Sequence, residues 1–475
     1  MSRRNVRGPN FALAALLLAG CSLAPDYIPP TAAPPSAFKE MPTGWTTATP
    51  LDASPRGPWW TMFGDPVLNA LEDRIEGASP TLAAAVARYD AARATAGEAA
   101  ADLYPRVDAA TTLVRERTSA RRPGASTSSR ATDATVAASL SYEIDLWGRV
   151  RNSVRAARVT AEASAADLES VRLSLQASLA DAYIRLRGLD AQAALLRETV
   201  GAYRKALELT QARQEGGAAS GLDVSRAQTL LSDARAQISD VANQRAATEH
   251  EIAALVGALP SDLTLAAVGT DLAPPPAVPV AAPAALVQRR PDVAAAERRM
   301  AAANAEIGVA RAPLFPDLSL GAATGFEASH GSLLSSPAAF WALGPLSAAL
   351  DLFDGGRRNA RIRISRAHYD EAAASYREAT LTAFREVEDQ LAAARLLEMQ
   401  ALDQGAAAAA AGRSSDLALT RYREGASNYL EVVAAQTAAL ESRRRELAVR
   451  TLRNRTAVAL VRALGGGASW PVSVK

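Results

Sequence analysis

Cysteine is all but missing: Cys21 is the only one in 475 residues, so the chain closes no disulfide within itself. Histidine is nearly as scarce. His250, His330 and His368 lie far apart, none has a ligand-like neighbour at metal spacing, and each reads as a structural or surface residue. The apolar run from Phe11 to Leu18 is about eight residues, far below the ~20 needed to span a bilayer as a helix. A Gly-rich phosphate loop, a Gly-x-Ser-x-Gly elbow and a His-Glu-x-x-His pair are all missing. No carboxylate pair stands out as acid and base, so catalysis is not expected. Lysine is confined to Lys39, Lys205 and Lys475, and nearly all positive charge is arginine. If Arg3, Arg4 and Arg7 leave with an N-terminal signal, 49 basic residues face 50 acidic ones, which gives no electrostatic case for nucleic acid as a partner.

What is present starts with Leu18-Ala19-Gly20-Cys21, which follows those arginines and the short apolar run. An ordinary secretory signal would leave Cys21 incidental. The tetrapeptide also has the form of a bacterial lipobox. Cleavage would then precede Cys21, its thiol would carry diacylglycerol, and its freed amine would be acylated. Several acyl chains at about 0.8 kcal/mol per buried CH₂ anchor a chain firmly. Ser22 follows, with no Asp there to hint at inner-membrane retention, so a tether at the outer membrane is expected. The covalent lipid is the only non-protein group expected, and no cofactor or metal is.

Residues 22–58 are rich in Pro, Ala and Thr and read as an extended tether. Trp59-Trp60-Thr61-Met62-Phe63-Gly64-Asp65-Pro66 then opens a short helix carrying Val67, Leu68, Leu71 and Ile75. After it the chain repeats itself. Ser79-Pro80-Thr81-Leu82 resembles Arg290-Pro291-Asp292-Val293, and Leu103-Tyr104-Pro105 resembles Leu314-Phe315-Pro316, both at an offset of 211. Asp145-Leu146-Trp147 matches Asp351-Leu352-Phe353 at 206, and Leu222-Asp223-Val224 matches Leu430-Glu431-Val432 at 208. Pro274-Pro275-Pro276 through Pro283 separates two copies of one unit. The chain therefore divides into a signal peptide (1–20), a tether (21–58), a first repeat (59–265, hairpin near 106–147), a linker (266–283), a second repeat (284–464, hairpin near 317–353) and a tail (465–475).

Each copy changes period in the same order. Pro80 to Tyr104 is Ala-rich and helical. A strand, a polar loop and a second strand follow. Ala134, Val136, Ala138, Leu140, Tyr142, Ile144 and Leu146 fall on one face, with Asp133, Thr135, Ser139, Ser141, Glu143 and Asp145 on the other. Leu318, Leu320, Ala322 and Phe326 repeat the pattern, and Leu346, Ala348, Leu350 and Leu352 are expected to pair with them. A two-sided sheet in a soluble domain would alternate too. Segments of about ten residues with aromatics near their ends are the signature of a membrane barrel. Polar loops over 119–130 and 329–337 would face outside. Proline-free helices from Gly148 to Glu215 and Gly355 to Glu424 follow, each about 100 Å long at ~1.5 Å per residue. Helices of that length must pack along one another as coiled coils. Return helices run Leu222 to Val256 and Tyr429 to Leu464, rich in small residues that bury little, so help from other subunits is expected. Four strands cannot close a barrel, and a bare edge is not tolerated in lipid. The chain must pool strands with copies of itself.

The Trp-Trp-x-x-Phe-x-Asp-Pro opening, the turns from Asp145 to Arg149 and Asp351 to Arg357, and Tyr422-Arg-x-Gly425 with Tyr429-Leu430-Glu431 resemble the TolC-type outer-membrane efflux proteins, in their OprM/NodT-like lipoprotein branch. The resemblance runs from about residue 22 to 464. It implies an α+β membrane protein with two tandem repeats, four transmembrane β-strands and long coiled-coil helices per chain. A homotrimer would form one barrel in outer-membrane lipid and one α-helical periplasmic tunnel closed at its far tip. A periplasmic adaptor and an inner-membrane pump of the resistance-nodulation-division type would feed this passive exit duct. The rival reading is a lipid-anchored structural coiled-coil protein with no pore. With five methionines and no Met-rich stretch, copper is a disfavoured cargo.

The helix turns at 213–228 and 421–437 are where a gate is expected. Relatives often carry Asp-Ala-Gln-Arg after the second turn, with the Asp at the constriction. This chain has Ala434-Ala435-Gln436-Thr437, lacking both the Asp and the Arg, with Arg226 at the position equivalent to Ala434. Leu222 and Leu430 are the candidate apolar constriction, with Asp223, Arg226 and Glu431 nearby. Alternatively, these leucines merely pack the turns.

Overall fold

The computed structural model describes residues 22–28, 38–40, 57–121, 123, 128, 130–269, 272–278, 289–328 and 337–466. Cys21 and the signal segment before it lie outside the described residues, as do His330, the 329–336 loop, much of the loop after Arg121 and linker residues 279–283.

After a 3-10 turn at Trp59–Phe63 come α1 (Pro66–Ala78), α2 (Pro80–Ala101), β1 (Arg106–Arg117), β2 (Arg130–Glu143), α3 (Arg149–Glu215) and α4 (Gly221–Leu255). The order then recurs as α5 (Pro291–Arg311), β3 (Asp317–Ala328), β4 (Phe340–Leu343), β5 (Leu346–Ala349), α6 (Arg357–Arg423) and α7 (Tyr429–Ala463). The two long helices are each 67 residues and the two return helices each 35, so the repeat is metrical as well as sequential.

The chain folds as two compact units. One holds Arg88–Ala165 and Ala295–Arg377, with residues 22–28. Its centre is an antiparallel sheet ordered β1-β2-β3-β4, with β5 also on β3. The two hairpins join through β2 and β3, from Ala134 opposite Ala328 to Glu143 opposite Ser319. Period-two alternation fixes the faces. Thr111, Val136, Phe326 and Phe340 form one cross-strand row, and Tyr142, Leu320 and Leu346 another, on the apolar face. Thr112, Thr135 and Glu327, and likewise Glu143, Ser319 and Ser347, lie on the opposite, polar face. Gly325 is required where β3 crosses β2, because a Cβ there would sit 2.3 Å from the Val136 carbonyl oxygen.

The fourth strand differs from the expectation. It starts at Phe340 rather than Leu346 and breaks in two at Gly344-Pro345, and Leu350 and Leu352 lie beyond the ladder. Proline has no N–H to donate. Pro345 contributes only its carbonyl, which accepts from the Gly321 N–H at 2.9 Å. Residues 22–25, at the start of the expected extended tether, make specific contacts. Asn304 Nδ2 donates to the Pro25 carbonyl at 2.8 Å, Arg311 Nη1 to that of Leu23 at 3.1 Å, and Ser22 Oγ to Asn152 Oδ1 at 3.1 Å.

The second unit holds Ala32–Ala87, Ala166–Ala294 and Glu378–Lys475. Asp65 caps α1 by accepting from the N–H of Val67 at 2.8 Å and Leu68 at 3.3 Å, with Pro66 in the first turn. Leu68, Leu71 and Ile75 are buried along one stripe of α1. In α3, Leu179, Leu186, Ala193, Val200 and Leu207 are all buried and recur every seven residues, the heptad that keeps one seam facing a partner helix. Asp190 is among the polar residues that α3 buries. Asp190 accepts from Arg245 Nε at 2.7 Å and Arg187 Nη1 at 3.1 Å, and these arginines also donate to the carbonyls of Leu265 and Ala266. The segment after α4 is thus fastened to the helix pair.

Candidate functional site

The two helix turns come together in the second unit as one tip. In the first, Gly217 adopts a left-handed φ of 76°, and the N–H of Ala218 returns to the Arg213 carbonyl at 2.7 Å. Ser220 then starts α4 with a reciprocal box. Its Oγ accepts from the Asp223 N–H at 3.2 Å, while Asp223 Oδ2 accepts from the Ser220 N–H at 3.1 Å. In the second turn Gly425 has φ 79°, the N–H of Ala426 returns to the Arg421 carbonyl at 2.8 Å, and Asn428 Oδ1 accepts from the Glu431 N–H at 3.1 Å. The same solution is used twice, with glycine ending one helix and a short polar side chain starting the next.

The turns share a core. Tyr422, Tyr429 and Val432 pack with Tyr203, Leu207, Ala227 and Leu231. The rings of Tyr422 and Tyr429 meet edge-on at 5.2 Å. Burial, followed by the neighbouring Tyr422, pushes the Tyr429 phenol up to about 12. Arg213 joins the two turns. Its Nη1 donates to the carbonyls of Tyr422 at 2.8 Å and Arg423 at 3.3 Å, and its guanidinium lies 4.7 Å from the centre of the Tyr422 ring. Sequence reasoning missed Arg213, because a lone arginine near a helix end carries no signal of a contact 209 residues away. The cap at the start of α4 was missed too, although Ser220-Gly221-Leu222-Asp223 carries a Ser-x-x-acid signal.

The residues expected at the gate separate into two sets. Leu222 and Leu430 lie outside the shared core; they are 59% and 52% exposed in the single chain. Ala434 and Thr437 are exposed at helical spacing from Leu430. Asp223 is occupied by its cap and lies 3.6 Å from Arg226, while Glu431 lies 3.8 Å from Arg421. Asp223 and Glu431 thus each have a partner within the turns, while Leu222 and Leu430 lie outside the shared core.

A family model described as outer membrane efflux protein matches residues 71–258 and 282–466. The chain is 34% identical over 464 residues to the probable efflux pump outer membrane protein TtgC of Pseudomonas putida, covering 96% of this chain and 95% of that one. It is 32% identical over 475 residues to the pyoverdine export outer membrane protein OpmQ of Pseudomonas aeruginosa, covering 98% of each. Among solved structures, the outer-membrane channel OprN superposes with a TM-score of 0.86 at 31% identity, covering 94% of this chain and 99% of that one.

Proposed function

The chain belongs to the outer membrane efflux protein family, and from that premise we propose that it is the passive exit duct of a tripartite efflux system. An inner-membrane pump of the resistance-nodulation-division type supplies the energy, a periplasmic adaptor bridges to the tip, and this chain passes drugs or other small molecules outward. The observation that carries the reading is the sheet. β1 to β5 form four strand lines with one apolar and one polar face, and among the described residues β1 and the β4–β5 line each have one unpaired side. The 12 residues of β1, at ~3.3 Å each and tilted by ~40°, cross about 30 Å, the thickness of a bilayer's hydrocarbon core. A coiled-coil envelope protein without a pore leaves this sheet without a role.

Acylation of Cys21 supplements the barrel as a membrane anchor. Closure at the tip rests on Leu222 and Leu430, since apolar narrowings shut a pore by dewetting. Planar-bilayer recording of the purified protein is the test. Discrete steps that open rarely at low voltage are expected, and Leu430→Ser, alone or with Leu222→Ser, should raise open probability severalfold. Silence from both the wild type and the double variant overturns the duct. Steps in the wild type that the substitutions leave unaltered overturn only the leucine gate.

A further inference from the structure

Both long helices open on a run of arginine. Residues 149–161 of α3 hold four arginines and no acid, and residues 357–369 of α6 hold five and no acid. Three recur at an offset of 208, pairing Arg149 with Arg357, Arg155 with Arg363 and Arg158 with Arg366. Positive charge at the start of a helix stands against the macrodipole, whose N-terminal end is itself positive. Neither first turn carries an acid to offset it. The nearest carboxylates are already engaged: Glu143 by Arg149, Asp145 by Arg151 and Asp354 by Arg358. Arg155, Arg158, Arg357, Arg361, Arg363 and Arg366 are exposed and enter no ion pair among the described residues.

What lies between the sheet and these runs is aromatic and apolar. Tyr104, Leu352 and Phe353 are exposed. Trp147 stacks on Phe315 at 4.6 Å and donates its Nε1–H to the Pro316 carbonyl at 2.8 Å. From the sheet outward, the order is an apolar face, an aromatic fringe and then guanidinium. That is the order of hydrocarbon, interface and phosphate in a leaflet. Arg149 to Arg158 covers about 14 Å of helix, which matches a headgroup layer of ~6 Å plus one Debye length of ~8 Å.

Resting on the outer-membrane reading, we propose that these arginines form a basic collar that binds the anionic phospholipid headgroups of the periplasmic leaflet. The planar guanidinium fork takes two phosphate oxygens at once, which an ammonium does not. The adjoining fringe receives the acyl chains, which selects a lipid over a free phosphate.

The test is native mass spectrometry of the full-length, delipidated protein in detergent, titrated with phosphatidylglycerol or phosphatidylcholine. Phosphatidylglycerol adducts should form at concentrations at least about tenfold lower. Combined Arg155→Gln, Arg158→Gln, Arg363→Gln and Arg366→Gln should close that gap to within about twofold, while the same four changed to Lys should keep most of it. Equal titration of the two lipids by the wild type overturns the collar, as does a gap that the Gln variant leaves intact. Millimolar inorganic phosphate that abolishes the adducts points to an aqueous anion site and also overturns it. Should the Gln variant not fold, the wild-type contrast and the Lys variant decide. Bilayer conductance of the same samples separates the two readings. A conducting protein indifferent to phosphatidylglycerol loses only the collar, whereas a silent protein that prefers it loses the duct.

Discussion

At the scale of single residues, Glu72 stands out. It lies in Leu71-Glu72-Asp73-Arg74-Ile75, one of two adjacent acids. In the folded chain it is 1% exposed, and neither carboxylate oxygen has a partner among the described residues. Burial, with Asp73 adding to it, pushes its carboxyl from 4.5 to about 9. At neutral pH the folded chain therefore carries Glu72 protonated while the unfolded chain ionises it. Between those two values the folded state binds the extra proton, so stability falls as pH rises. Glu72→Gln keeps the shape and removes the titration. Its stability advantage over the wild type should grow by up to about 1.4 kcal/mol per pH unit from pH 5 to 9, read as the gap between their apparent unfolding midpoints. A gap that does not change with pH overturns a buried, neutral Glu72. Helical spacing shows its place, since Leu68, Leu71, Glu72 and Ile75 fall at i, i+3, i+4 and i+7 of one stripe, but not that its carboxylate meets no partner there.

At the scale of elements, the tip depends on a bond between two helix ends. α6 ends with carbonyls that have no partner within the helix. Arg213 of α3 supplies donors to two of them, at 2.8 and 3.3 Å. Charge-assisted bonds of this kind contribute roughly 1.5–3 kcal/mol. Arg213→Ala should raise amide hydrogen exchange across residues 418–434 by at least about tenfold while leaving the heptad seam of α3 near Leu186 protected. Arg213→Lys should fall between, because an ammonium keeps the charge but not the planar face that lies over the Tyr422 ring. Unaltered exchange at the tip in Arg213→Ala would show the contact to be incidental. Most elements were legible, and for physical reasons. The 67-residue helices lack proline and end at glycine, both local signals. Strand alternation was likewise local, and the register through Gly325 follows it. The fourth strand was misplaced because alternation cannot see a proline break, which is decided by what Gly321 needs across the ladder. The exposure of Leu222 and Leu430 was not legible, because it depends on Tyr422 and Tyr429 filling the core instead, a choice made between distant segments.

At the scale of the whole molecule, the open edges of the sheet set the terms. In hydrocarbon an unpaired N–H or carbonyl costs several kcal/mol, and β1 alone presents an edge of 12 residues. Four strand lines per chain give eight for two chains, and an eight-stranded barrel is filled by its own side chains. A water-filled lumen needs more, and three chains bring twelve lines, so the proposed duct calls for a homotrimer as its smallest closed assembly. Closure then requires the β1 edge of one chain to meet the β4–β5 edge of the next. Cys21 is the only native thiol, so engineered cysteines report cleanly once it is replaced. With one cysteine fixed at Ala342 on β4, a second is walked along Val107, Ala109, Thr111 and Leu113, which share the apolar face of β1. Two strands separate β1 from β4 within a chain, so intramolecular bridging is out of reach of a disulfide, which needs Cα atoms within about 7 Å. Oxidation should give covalent dimers and trimers at one or two of the β1 positions and none at the others, and the position that bridges reads out the stagger of the barrel. A full scan without bridged species, in protein that still migrates as an SDS-resistant oligomer, would mean that the chains associate through their helices and that the sheet edges are covered in some other way.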